Sequence, residues 1–168
     1  MARINTAGWH ASGRGGAVAA GHASAVEAGI RVLNDGGNAA DAAVATILAL
    51  SVTDFGAFAF GGEVPMLYYE AGTGKVTVLC GLGRAPLSEE AARWYMAHGI
   101  PAGGDMKAAA VPGAPDLCAT ALQLYGTMSF ARVAEPTLEL LADGGELWHR
   151  RLALTLRRMS GAERKAGG

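Results

Sequence analysis

Cysteine is nearly absent from this sequence. Cys80 and Cys118 are the only two in 168 residues, far apart and with no CxxC or Cys/His spacing, so neither a disulfide framework nor a zinc ligand set is indicated. A reducing compartment fits that usage. Charge is sparse as well: Asp, Glu, Lys and Arg make up 17% of the chain, and 14 basic against 15 acidic residues leave a net charge of -1. That balance argues against a dedicated nucleic-acid or polyanion binder and points to small molecules or protein surfaces as partners. A long apolar run is also lacking. The opening "MARINTAGWHASGRGG" has no apolar secretion region, and the stretch from Ala39 to Leu50 contains Asp41 and falls short of the about 20 residues that cross a bilayer. The expectation is a cytoplasmic protein that does not engage a membrane.

What the chain does have is apolar residues at 51% and 25 glycines, enough for one globular domain or a large piece of one. Residues 16–20, "GAVAA", read as a short buried strand. Ser24 then caps a helix running to Leu33, with Val26, Ile30 and Leu33 on one face and Gly36 and Gly37 ending it. Asn38 caps a second helix, over 39–52, and Asp41 stands three residues on, where a carboxylate reaches back to the cap. That helix is alanine-rich. Ala42, Ala45 and Ala49 form one face and Val44, Ile47, Leu48 and Ser51 another, so it is expected to lie between layers. Period two takes over in "VPMLYYE" and "KVTVLCG", joined by "AGTG", which predicts a hairpin with Pro65 at an edge or bulge. Helices follow at about 88–97, 115–125, 130–143 with a break before Pro136, and 147–159, stopped in turn by Gly99, Gly126 and Gly144. The last residues, "SGAERKAGG", read as a frayed tail.

None of the short motifs that carry chemistry survives inspection. In "GRGGAV" Val18 stands where a dinucleotide fingerprint needs glycine, and in "GLGRAP" Pro86 does. "GTGKVT" has the end of a phosphate loop, but Tyr69 replaces the first glycine and Val76 the magnesium-holding hydroxyl, so a hairpin turn is the better reading. His10, His22, His98 and His149 show no ligand spacing, and no G-x-S-x-G elbow is present. Only His22 falls near a strand end; a cap or surface role is the reading for all four. Arg150, Arg151, Arg157 and Arg158 alternate with Leu152, Leu154, Leu156 and Met159 as the solvated face of an amphipathic helix.

The order of signals, "GAVAAGHASAVEAGIRVLNDGGNAADAAVATILALSV", "FGGEVPMLYY", "TGKVTVL", "AVPGAPDLCATALQLYG" and "EPTLELLADG", resembles the N-terminal part of the large subunit of the gamma-glutamyltranspeptidase family over residues 16–158. The resemblance implies an N-terminal-nucleophile hydrolase, an α/β fold in which this chain is part of a four-layer αββα sandwich. It divides the chain into a flexible segment at 1–15, a large-subunit portion at 16–159 and a tail at 160–168. It also implies that the alanine-rich helix packs directly on a central sheet. The family's precursor cuts itself, and a threonine that starts a second, smaller chain attacks an amide carbonyl with its own α-amine as base. Nothing here matches that small chain, so no catalytic residue, cofactor or metal is assigned to these residues, and the partner implied is a small subunit with an N-terminal threonine. The alternative is an inactive remnant serving as a binding or assembly module.

One stretch departs from the family. Members that recognise glutamate carry Asp-x-Arg-Glu-x-x-Pro after the hairpin, and its arginine holds the substrate's α-carboxylate. Here the stretch is "CGLGRAP": on the register of Pro86, Cys80 stands at the aspartate, Leu82 at the arginine and Gly83 at the glutamate. Arg84 lies two residues on, on the same face of an extended segment but about 6 to 7 Å away. Leu82 and Arg84 are therefore the candidate substrate-binding residues, with an exposed loop arginine as the other reading of Arg84. The departure moves the expected substrate away from ordinary γ-glutamyl peptides and towards other small amides.

Overall fold

The computed structural model describes residues 12–109, 111–144 and 146–167. The expected flexible segment at 1–15 therefore lies outside the described residues up to position 11. Helix α1, Ala23–Asn34, begins two residues earlier than a Ser24 cap would dictate, because His22 is the cap: its Nδ1 accepts from the Ser24 N–H at 3.2 Å. The helix ends in two crossed bonds, Gly36 N–H to Leu33 C=O at 3.1 Å and Gly37 N–H to Val32 C=O at 2.9 Å. Gly36 takes a left-handed φ of 92°, which a side chain would resist.

Helix α2, Ala39–Thr53, opens with the expected capping box between Asn38 and Asp41. It is buried on almost every side, but its neighbours are helices: α1, α4 (Ala114–Tyr125) and α5 (Phe130–Asp143). Among the described residues the one sheet is the two-stranded hairpin, and helices make most of the contacts of α2. Closest approach is with α1, where a Cβ on Gly29 would fall 2.4 Å from Thr46 Oγ1 and 3.2 Å from the Ala42 C=O. Small side chains on α2 thus serve helix-to-helix contact, while Val44 and Leu48, both fully buried, supply about 1.5 to 3 kcal/mol each to the core.

Residues 16–20 form no strand, and they make no backbone hydrogen bond among the described residues. Only Val18 and Ala20 are half-buried; a strand needs a partner for its amides, and the hairpin does not come alongside. That hairpin, β1 (Val64–Glu70) and β2 (Lys75–Gly81), is a two-stranded antiparallel sheet with Val64 opposite Gly81 and Glu70 opposite Lys75. One face packs inward through Met66 and Leu79. The other carries Leu67, Tyr69, Val76 and Val78, all largely exposed.

Helix α3, Glu89–His98, is capped by Ser88 and buries no residue; a single 3-10 turn at Met106–Ala108 follows it. Helix α5 runs unbroken through Pro136, contrary to the expected break. Phe130, Val133, Ala134, Pro136, Thr137 and Leu141 are all buried along it, and that packing offsets the lost bond of the proline. Helix α6, Leu147–Ala166, extends through most of the residues expected as a tail. Ser160 is buried in it, and Glu163 Oε1 accepts from the Phe130 N–H at 2.7 Å, so the end of α6 caps the start of α5. The arginines 150, 151, 157 and 158 are exposed, as the amphipathic pattern requires.

Candidate functional site

Where β2 ends, three backbone segments converge with no room for side chains. A Cβ on Gly81 would meet the Val64 C=O at 2.4 Å, one on Gly113 would meet the Gly81 C=O at 2.2 Å, and one on Gly83 would meet the Val111 C=O at 2.0 Å. The Ala114 N–H also donates to the Gly62 C=O at 3.3 Å. Glycines that look dispersed in the sequence are thus one packed junction, and the start of α4 rises from it with no side-chain cap. Leu82 lies at this junction and is half exposed.

Arg84 stands just beyond. It lines a cleft of about 520 Å³ between residues 83–86, helix α3 and residues 107–109, whose walls include Met96, Ile100 and Val111. Leu82 does not line it, so the two candidates share a segment without sharing a cavity. Arg84 makes no ion pair among the described residues. The cleft's second cation, Lys107, lies 3.8 Å over the Trp94 ring, and its C=O accepts from the Tyr95 hydroxyl at 2.7 Å. Tyr95 and Lys107 were not foreseen, because the fold around the 3-10 turn brings them here and no local pattern marks them.

The other residues considered have structural roles. His22 caps α1. Cys118 is fully buried, and burial pushes its thiol up to about 12, far from a nucleophile's range. The "DGGNAAD" segment is not a reaction centre either. Asp41, fully buried, accepts from the N–H groups of Asn38 at 2.8 Å, Thr127 at 3.1 Å and Met128 at 3.2 Å, and from the Thr127 hydroxyl at 2.7 Å. Asn38 Nδ2 donates to the Tyr125 C=O at 2.6 Å. The acid ties the start of α2 to the loop between α4 and α5, and a Cβ on Gly126 would stand 2.8 Å from it. No group of three or more metal-ligating side chains occurs among the described residues, and no helix there is long and apolar enough to cross a membrane.

A family model described as gamma-glutamyltranspeptidase matches residues 25–162. The chain is 34% identical over 137 residues to a glutathione hydrolase proenzyme of Bacillus subtilis, covering 79% of this chain and 23% of that protein. It superposes on Helicobacter pylori gamma-glutamyltranspeptidase with a TM-score of 0.65 at 28% identity, covering 79% of this chain and 39% of that one. On a cephalosporin acylase from Bacillus halodurans the TM-score is 0.64 at 32% identity, covering 71% and 22%. The chain therefore spans less than a quarter of the length of the curated relative it matches.

Proposed function

We propose, because this chain belongs to the gamma-glutamyltranspeptidase family, that it supplies the front of the large subunit to an amidohydrolase or acyltransferase whose nucleophile is the N-terminal threonine of a second chain. The threonine hydroxyl attacks the amide carbonyl as its α-amine takes the proton, the amide C–N bond breaks and the substrate's amine leaves with that proton, and the acyl group then passes from the threonine to water or to an amino acid. This chain contributes scaffold and part of the substrate wall, and by itself it does not turn over substrate. Relatives called glutathione hydrolase and cephalosporin acylase support a hydrolase acting on amides in general more than any one acyl group.

The observation that carries the substrate reading is the closed space at Gly83 beside Leu82. The family's Arg-Glu pair falls on these two positions, and the Val111 carbonyl occupies the place of any side chain at 83. Leucine at 82 offers no donor for an α-carboxylate. Loss of a charge-assisted contact of about 1.5 to 3 kcal/mol weakens γ-glutamyl substrates by roughly ten- to over a hundredfold in kcat/KM. The substrate is then an amide whose acyl group lacks an α-carboxylate, or presents an acid that Arg84 meets instead. With the second chain restored, a γ-glutamyl anilide is compared with other acyl anilides in the parent, in Leu82→Arg and in Arg84→Ala. The parent is expected to prefer the others, and Leu82→Arg to regain part of the γ-glutamyl rate. A parent that prefers the γ-glutamyl compound, with Arg84→Ala leaving that preference intact, refutes the reading.

A further inference from the structure

The cleft beside Arg84 is built from two directions. On one side the glycine junction, closed at Gly83 against the Val111 carbonyl, sets the course of residues 83–86. On the other, helix α3 is fastened to the 3-10 turn, because the Tyr95 hydroxyl donates to the Lys107 carbonyl and the Lys107 N–H donates to the Asp105 carboxylate at 2.8 Å. The Lys107 ammonium is held over the face of Trp94. Two cations, Arg84 and Lys107, thus line one cavity of about 520 Å³, and no acidic side chain lines it with them. Neither cation forms an ion pair among the described residues. The largest apolar side chains of the walls are wet: Met96 is 89% exposed, Ile100 82% and Val111 54%.

We infer that this cleft binds a monoanion with an apolar body, of which a medium-chain carboxylate is the simplest member. Arg84 and Lys107 hold the carboxylate, and the chain lies along Met96, Ile100 and Val111. A cavity lined by charge of one sign concentrates the opposite charge, and the planar fork of an arginine matches a carboxylate. A small inorganic anion would meet the two cations and leave the apolar walls in water. A neutral apolar molecule would do the reverse. Only an amphipathic anion uses both features, and the volume falls in the range of small-molecule sites. The inference deepens the proposed function by stating what Arg84 meets, and it rests on that reading only in taking the carboxylate to be a group of the amide substrate. Its test measures binding without turnover. Failure here therefore leaves the hydrolase reading standing, and failure of hydrolysis leaves the cleft.

The 168-residue chain is titrated with hexanoate, octanoate and decanoate below micelle formation, followed by calorimetry and by backbone amide chemical shifts. Octanoate is expected to bind and to shift the amides of Arg84, Ala85, Lys107 and Ala108, with affinity rising about two- to fourfold for each methylene added. Octylammonium and octanol, which keep the chain but reverse or remove the charge, are expected to bind about tenfold more weakly or worse. Arg84→Gln and Lys107→Gln are each expected to weaken octanoate by about tenfold and to keep the gain per methylene. Ile100→Ser is expected to lower that gain and keep the preference for the anion. All three side chains are exposed, so helical circular dichroism should match the parent. Absence of octanoate binding, equal binding of octylammonium, or shifts confined to other residues overturns the inference. So does undiminished binding by the Arg84→Gln, Lys107→Gln double variant, or acetate binding as tightly as octanoate.

Discussion

At the scale of single residues, Asp41 and Cys118 were visible in the sequence for different reasons. The capping role of Asp41 is local and follows from its spacing to Asn38. Its other partners, Thr127 and Met128, lie 86 and 87 residues on, and no pattern along the chain announces them. Asp41→Ala leaves four donors without an acceptor and is expected to lower the unfolding free energy by about 3 kcal/mol or more. A fall of the urea midpoint at constant slope is the measurement. Cys118 is neutral in the fold, with its thiol at about 12 against the ordinary 9.0. A raised pKa means that the folded state holds the proton longer. The stability from this group is therefore complete below pH 9 and is lost as the pH rises towards 12, at up to about 1.4 kcal/mol per pH unit. Cys118→Ala is expected to flatten that part of the stability profile. A profile unchanged by Cys118→Ala counts against this account.

Among the elements, the hairpin is the one most fully written in the sequence. Period-two runs on either side of Thr73 and Gly74 define both strands, because side-chain alternation and turn chemistry are local properties. The "GAVAA" segment was not legible, since an apolar run becomes a strand only if another strand reaches it. Nor was the end of α6, which continues because Glu163 finds the first turn of α5. The contact between α1 and α2 allows a direct test. Gly29→Ala would gain about 1 kcal/mol of intrinsic helix preference if the site were open. With Thr46 Oγ1 at 2.4 Å from the new Cβ, it is expected instead to destabilise the chain by about 1 to 3 kcal/mol, read from thermal or denaturant unfolding. A stabilised variant would show that the helices have room to separate.

For the whole molecule, the family was readable from the order of its motifs, and the structure explains why the most specific of them is so specific. "DGGNAAD" and "YGTM" are two halves of one knot tied at the buried Asp41. The candidate site was readable only in part. Leu82 and Arg84 are two residues apart in sequence but face different surroundings, and the closed space at Gly83 comes from Val111, which no local rule places there.

That knot also sets an order for the chain's motions. Fastening Asp41 to Thr127 closes a loop of 86 residues, and within it the hairpin and α3 are an excursion from the helical core, with α3 burying nothing. Two cooperative units of unequal strength are the expected consequence. Native-state hydrogen exchange should find the amides of α1, α2, α4 and α5 opening only with global unfolding. Those of β1, β2 and α3 should be released in an earlier, partial step that weak denaturant exposes. If the hairpin amides prove as slow as those of α2, the excursion belongs to the same unit and Asp41 does not divide the molecule.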